Sequence, residues 1–234
     1  MKAFLLAAGH GTRLRPITDS IPKCLVPIRG KPLLGIWFEL LRRYGIHEVL
    51  VNVHCHADAV REYVTGQNQG LEIRVFEEPE LLGSAGTIAT NGDWVRSDPS
   101  FWVLFADVLT NANLDDMFRF HCSKGRAITL GIYEVPDPKR CGIVELDRED
   151  VIRRFIEKPS DPIGKLAFSG LLLGTPELLD AIPPGSPVDL GSGVLPRLTG
   201  RMVGYRIQDY LLDVGTKENY SLAQKTWPSL TTTV

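Results

Sequence analysis

A short apolar run, Phe4-Leu5-Leu6, passes through Ala7 and Ala8 into Gly9-His10-Gly11 and then into two arginines, Arg13 and Arg15. The run reads as a buried first strand. It ends in a turn whose glycines let the main chain approach a ligand without a Cβ in the way. Lys23, behind Pro22, brings a third cation about ten residues after Arg13. Backbone amides and fixed cations converging on the end of a strand suit a polyphosphate.

Two familiar phosphate loops do not fit. Gly9 and Gly11 begin a dinucleotide-binding fingerprint, but its third glycine position holds Leu14, and no acidic ribose reader stands clearly at the expected distance. No Gly-Lys-Ser or Gly-Lys-Thr follows a four-residue spacer, so the P-loop of the NTPases is excluded as well.

The first half of the chain sets this loop at the edge of a sheet. Leu33, Trp37, Leu40, Leu41 and Tyr44 recur at helical spacing after Pro32, with Gly45 placed to cap the helix. The run from Glu48 to Val53 predicts a second strand. A helix over 57–65, a strand over 71–76, a helix from about Ser84 and a strand from Phe101 to Ala106 continue the alternation. Repeated βα units imply an α/β fold, a mixed but mostly parallel central sheet flanked by helices. Such sheets bind ligands beyond the C-terminal ends of their strands. Further on, strands over Ala127 to Val135, Gly142 to Leu146, Val151 to Ile156 and Leu166 to Leu173 follow one another with few helices between, so antiparallel or mixed pairing is expected. A short helix there should open with Thr175 as N-cap and Pro176 in its first turn.

Three segments, Leu6 to Pro16, Pro22-Lys23-Cys24-Leu25 and Pro27 to Pro32, resemble the signature of the sugar 1-phosphate nucleotidylyltransferases. The pattern is closest to the single-domain enzymes acting on mannose or manno-heptose 1-phosphate. The resemblance implies a Rossmann-like nucleotide-diphospho-sugar transferase fold in one domain. Residues 1 to about 125 would form the nucleotide-binding half, about 126–227 the sugar-binding half, and 228–234 a frayed tail. By the same resemblance Gly9, Gly11 and Arg13 hold the triphosphate of an NTP, Lys23 reaches its α-phosphate, and Leu6, Ala8 and Thr12 complete the nucleotide site. Asp107, after the strand FWVLFA, and Asp213, in Leu-Leu-Asp-Val-Gly-Thr, resemble the family's metal-binding pair. Mg²⁺ is the cofactor implied, since it needs only one or two carboxylates beside phosphate oxygens and water.

Gly142 in Cys141-Gly142-Ile143-Val144-Glu145, Glu157 and Lys158 in Phe155 to Pro159, and Ser169-Gly170 match the segments that contact the sugar and its phosphate in this family. Many relatives carry asparagine where this chain has Ser169, which leaves the sugar open. The stretch Glu77 to Thr87 resembles the base-reading segment, with Glu78 and Gly83 on the nucleotide. A carboxylate can accept from both the ring N–H and the amino group of guanine, so GTP is favoured. Thymidylyl or uridylyl transfer to glucose or an amino-sugar 1-phosphate is the alternative. A non-catalytic nucleotide-binding subunit is a second alternative, although such proteins typically lose the loop arginine, the lysine or a metal aspartate, and all four are retained here.

Composition bounds the rest. A chain of 234 residues with 44% hydrophobic content supports one substantial core. A net charge of −2 predicts no nucleic-acid footprint, so the expected partners are the small-molecule NTP and sugar 1-phosphate, with room for a homo-oligomer. Cys24, Cys55, Cys122 and Cys141 form no CxxC pair, which suits a reduced, cytoplasmic protein. The opening residues read as a strand rather than a signal peptide, and no window approaches a membrane span. His54-Cys55-His56 looks like a metal cluster but lacks a third or fourth ligand of matching spacing, so it reads as a loop after the second strand. No Gly-x-Ser-x-Gly or similar nucleophile motif supports covalent catalysis.

Overall fold

The computed structural model describes residues 1–66 and 70–230; residues 231–234 of the tail expected to fray lie outside the described residues. The fold is mixed α/β, with a central, mostly parallel sheet flanked by helices, as the sequence pattern predicts. Two compact units interleave in sequence. One comprises Met1–Leu81, Leu104–Asn113 and Asp209–Val234, the other Leu82–Val103 and Leu114–Gln208. The sequence reading instead divides the chain linearly near residue 125.

In the first unit, strand Lys2–Leu6 pairs in parallel with Glu48–Val53, Leu6 lying opposite Asn52, and Glu48–Val53 pairs in parallel with Glu72–Glu77. Ala3, Phe4 and Leu5 have no exposed surface, as expected for a strand inside such a sheet. Helix Leu33–Arg43 starts directly after Pro32 and buries Leu33, Leu34, Ile36, Trp37, Phe38, Leu40 and Leu41. Each large apolar side chain buried stabilises by roughly 1.5–3 kcal/mol, so packing of this face holds the helix. It ends where Gly45 adopts a φ of 66° and the Ile46 N–H donates back to Leu41 O at 2.9 Å. Val108–Thr110 and Leu211–Asp213 form an antiparallel ribbon that places Asp213 opposite Val108, next to Asp107.

The second unit contains the antiparallel pairing expected for the later strands. Leu166–Gly174 pairs with Ile128–Glu134, and Gly142–Leu146 with Ile152–Glu157, while Met202–Arg206 adds a parallel partner to Ile128–Glu134. The register of the first pair shifts between Phe168 and Leu172, a bulge at Ser169-Gly170 where Gly170 takes a φ of 83°. The short helix Glu177–Asp180 departs from expectation: Pro176 is its N-cap and no side chain caps it. Thr175 is tied into the sheet instead, its N–H donating to Ala127 O and its own carbonyl accepting from the Leu178 N–H, both at 2.9 Å. The Thr175 hydroxyl is buried without a partner among the described residues.

Candidate active site

Strand Lys2–Leu6 and the Ala106-Asp107 segment meet through the Ala106 N–H, which donates to Leu6 O at 2.9 Å. This brings a carboxylate to the point where the glycine loop begins. The two loop glycines serve different needs. A Cβ on Gly9 would meet no heavy atom within 4 Å, whereas Gly11 takes a φ of 65° and a Cβ there would lie 3.0 Å from Thr18 Cγ2 and 3.2 Å from Lys23 Cβ. Thr18 Oγ1 donates to Gly11 O at 2.8 Å, fixing the turn. Ala8 is buried, Thr12 opens the 3₁₀ turn Thr12–Leu14, and Leu14 has no exposed surface. The residue that replaces the third fingerprint glycine is thus a core side chain.

Charged groups gather beside this loop. Lys23 Nζ lies 2.5 Å from Asp107 Oδ2, a charge-assisted hydrogen bond. A Cβ on Gly215 would fall 2.6 Å from Asp213 Oδ1 and 2.8 Å from Arg13 Nη2, so the absence of a side chain there admits both groups. Burial, and after it the charge of Asp107, push the Asp213 carboxyl above the usual range, while Lys23 and Arg13 pull the other way. Asp213 Oδ1 is buried and makes no well-formed hydrogen bond among the described residues. A buried carboxylate that feels the charge of a second one, with oxygen donors only, fits a hard divalent cation such as Mg²⁺. Beside Lys23, burial pushes the Cys24 thiol up to about 12, so it is a neutral packing group.

Glu78 is 1% exposed and turned inward. Its Oε1 accepts from Asn52 Nδ2 at 2.8 Å, and Asn52 Oδ1 accepts from the Ala7 N–H at 2.7 Å. The carboxylate therefore braces the chain where it enters the glycine loop.

The second unit carries the residues expected to meet a sugar phosphate, and brings Gly142, Glu157 and Lys158 together at the ends of two paired strands. Glu157 and Gly142 are direct cross-strand partners. A Cβ on Gly142 would come within 2.8 Å of Glu157 Oε2, and one on Gly191 within 2.5 Å, so the carboxylate rests over two bare backbones. Lys158 adopts a φ of 46°, its N–H donates to Cys141 O at 3.0 Å, and its side chain is 67% exposed. Ser169 is buried, with its Oγ accepting from the Leu171 N–H at 3.2 Å and packed against the Gly131 backbone. Gly83 takes a φ of 77°, and a Cβ there would sit 2.5 Å from Val188 O.

A family model described as "Nucleotidyl transferase" matches residues 2–228. The chain belongs to the nucleotidyl transferase family. Among its relatives, the Xenopus tropicalis protein named mannose-1-phosphate guanylyltransferase catalytic subunit beta is 33% identical over 227 residues, which cover 94% of this chain and 62% of that protein. The Synechocystis protein named UTP--glucose-1-phosphate uridylyltransferase is 35% identical over 213 residues, covering 85% of this chain and 55% of that one. This nucleotidyl transferase chain thus spans about three-fifths of the length of the curated relatives it matches. In fold it is similar to HddC from Yersinia pseudotuberculosis, solved in complex with GMP-PN, with a TM-score of 0.82, 23% identity, and coverage of 97% of this chain and 99% of that one.

Other residues of this nucleotidyl transferase chain matter to the site but carry no role in the sequence reading. Asp189 Oδ1 accepts from both the N–H and the Oγ of Ser84 at 3.2 Å, and Ser84 Oγ accepts from the Leu190 N–H at 2.8 Å. Val188 adds its N–H to Leu82 O and its carbonyl to the N–H groups of Ala85 and Gly86. Together these clamp the Leu82–Gly86 turn to Val188–Leu190. Asp189 and Ser84 are 105 residues apart in sequence. Asn52 carries no local signal. His54-Cys55-His56, which reads in sequence as lacking a further ligand of matching spacing, meets one in space: His54 and Cys55, without His56, group with His10.

Proposed function

We propose that this chain transfers a nucleotidyl group from an NTP to a sugar 1-phosphate, releasing pyrophosphate. GTP is the favoured nucleotide, and mannose or manno-heptose 1-phosphate the favoured acceptor. The observation that carries this reading is the meeting of Arg13, Lys23, Asp107 and Asp213 at the glycine loop. Cations and a carboxylate pair at a loop open to close backbone approach suit a triphosphate.

A sugar 1-phosphate is itself an anionic nucleophile, so the protein needs neither a general base nor a covalent intermediate. A phosphate oxygen attacks the α-phosphorus in line, the new P–O bond forms as the bond to the β-phosphate oxygen breaks, and pyrophosphate carries away the electron pair. Gly9 leaves room for the phosphates and Gly11 sets the turn that presents them, while Arg13 and Lys23 offset the charge that spreads over the reacting group. Asp107 and Asp213 would hold Mg²⁺, whose contribution when bound is further charge neutralisation at the phosphates. Lys158, Glu157, Gly142, Ser169 and Gly170 are assigned to the sugar phosphate, holding it against repulsion from the nucleotide. Glu78 and Gly83 are assigned to the base, with Glu78 acting through the chain segment that Asn52 braces.

The name of the Xenopus relative supports guanylyl transfer to mannose 1-phosphate. The Synechocystis relative, at 35% identity, supports a second reading, uridylyl transfer to glucose 1-phosphate. Four free cysteines suit a cytoplasmic location. Lys23→Ala and Asp107→Ala test the proposal through pyrophosphate release and thermal melting. Each variant should lose most turnover while remaining folded, and near-normal turnover in either would overturn it.

A further inference from the structure

His10 stands between the two loop glycines, and His54 and Cys55 follow the Glu48–Val53 strand. Forty-five residues apart in sequence, His10 Nδ1 and Cys55 Sγ lie 3.3 Å from each other. The His10 and His54 rings meet edge to face with centroids 5.2 Å apart. One donor atom from each of His10, His54 and Cys55 lies within 4.8 Å of the others, the one such group of three or more among the described residues.

Donor chemistry and orientation both point to a metal. Nδ1 of His54 lies 2.8 Å from Glu78 O, which can only accept, so Nδ1 carries the proton and Nε2 keeps its lone pair. A ligating histidine whose other ring nitrogen donates to a backbone carbonyl is the usual arrangement around a bound metal. Zinc bonds of about 2.3 Å to sulfur and 2.0–2.1 Å to nitrogen place tetrahedral S and N ligands about 3.6 Å apart, close to the His10–Cys55 separation. The remaining closure needs small rotations of an exposed side chain on a glycine-flanked segment.

We propose that His10, His54 and Cys55 form a three-donor site for a thiophilic divalent cation, zinc being the type, with a fourth position open to water or another oxygen donor. The two imidazoles and a thiolate distinguish it from the all-oxygen set of Asp107 and Asp213. Binding sends the Cys55 thiol proton to solvent, so affinity rises with pH. Because His10 belongs to the glycine loop, the bound metal ties that loop to the end of the second strand.

The test reads metal rather than turnover, so its outcome is separate from that of the transfer reaction. Metal-free full-length protein is titrated with Zn²⁺ by equilibrium dialysis and with Co²⁺ by absorbance. The expected result is one ion per chain, a thiolate-to-cobalt charge-transfer band, and a loss of affinity of about a hundredfold or more in Cys55→Ser and His10→Asn. Cys122→Ser, at an exposed cysteine elsewhere, should match the parent. His10→Asn lies on the surface and keeps the fold, so it remains informative if Cys55→Ser misfolds. Absence of stoichiometric binding, a cobalt spectrum without sulfur charge transfer, or binding lost in Asp107→Ala but kept in Cys55→Ser would overturn the site.

Discussion

Gly9 and Gly11 are two residues apart and should fail in opposite ways when replaced by alanine. At Gly11 the backbone is left-handed, with φ of 65°, and a new methyl presses on Thr18 and Lys23. The conformation alone costs a non-glycine residue roughly 1–2 kcal/mol. In a chain of this size each kcal/mol moves the melting midpoint by about 2–4 °C, so Gly11→Ala should melt about 2–8 °C lower. At Gly9 the methyl meets no heavy atom within 4 Å and no left-handed φ is required. Removing glycine's freedom from the unfolded chain stabilises by about 0.4–1 kcal/mol, so Gly9→Ala should melt at the parent's temperature or slightly above it. The space the methyl fills is the space assigned to a phosphate oxygen. Losing one main-chain hydrogen bond to a charged oxygen costs about 1.5–3 kcal/mol, which is roughly a 10–150-fold weaker NTP affinity. Scanning calorimetry and titration calorimetry with Mg·GTP measure the two quantities on one preparation. A Gly9→Ala protein that melts well below the parent, or binds GTP as tightly, would refute the assignment of this opening to the triphosphate.

Two more outcomes follow from the geometry. Gly83→Ala combines a φ of 77° with a Cβ only 2.5 Å from Val188 O, so the Val188 clamp must open. One conformational penalty and about two backbone hydrogen bonds amount to roughly 3–4 kcal/mol, or a melting midpoint lower by about 6–16 °C. Gly185→Ala, with a φ of 102° and nothing within 4 Å, should lose only the conformational part. His121 is buried against Thr129, with Nδ1 to Oγ1 at 2.8 Å, and burial holds its pKa below 6.5. The unfolded chain takes the proton first, so stability is full above about pH 6.5 and declines as pH falls through that value toward the lowered folded pKa. Urea midpoints measured across this range should flatten in His121→Gln, and an unchanged slope would remove His121 from the explanation.

What the sequence discloses is what is local along the chain. The Phe4-Leu5-Leu6 run, the helix after Pro32 with its Gly45 stop, and the strand that delivers Asp107 are each written in contiguous residues. Pairing of Gly142 with Glu157 is also legible, because a short connection joins their two strands. Contacts made by tertiary return are not. The chain leaves the first unit at Leu82 and comes back twice, so Asp213 reaches Asp107 only through the Val108–Thr110 ribbon. Ser84 and Asp189, or Asn52 and Glu78, have no periodicity that would pair them. His10 carries no metal signal in sequence because its neighbours in space, His54 and Cys55, sit at the end of another strand. Thr175 shows the converse error: a residue with a strong capping preference is held by its backbone in the sheet, and the sheet prevails.

The most direct measurement is pyrophosphate release from a matrix of the common NTPs against sugar 1-phosphates, with Mg²⁺ and with chelator. The account predicts release only when both a nucleotide and a sugar 1-phosphate are present, fastest with GTP and mannose or manno-heptose 1-phosphate, and mostly lost in Lys23→Ala and on chelation. Nucleotide binding without pyrophosphate release from any pair would contradict it.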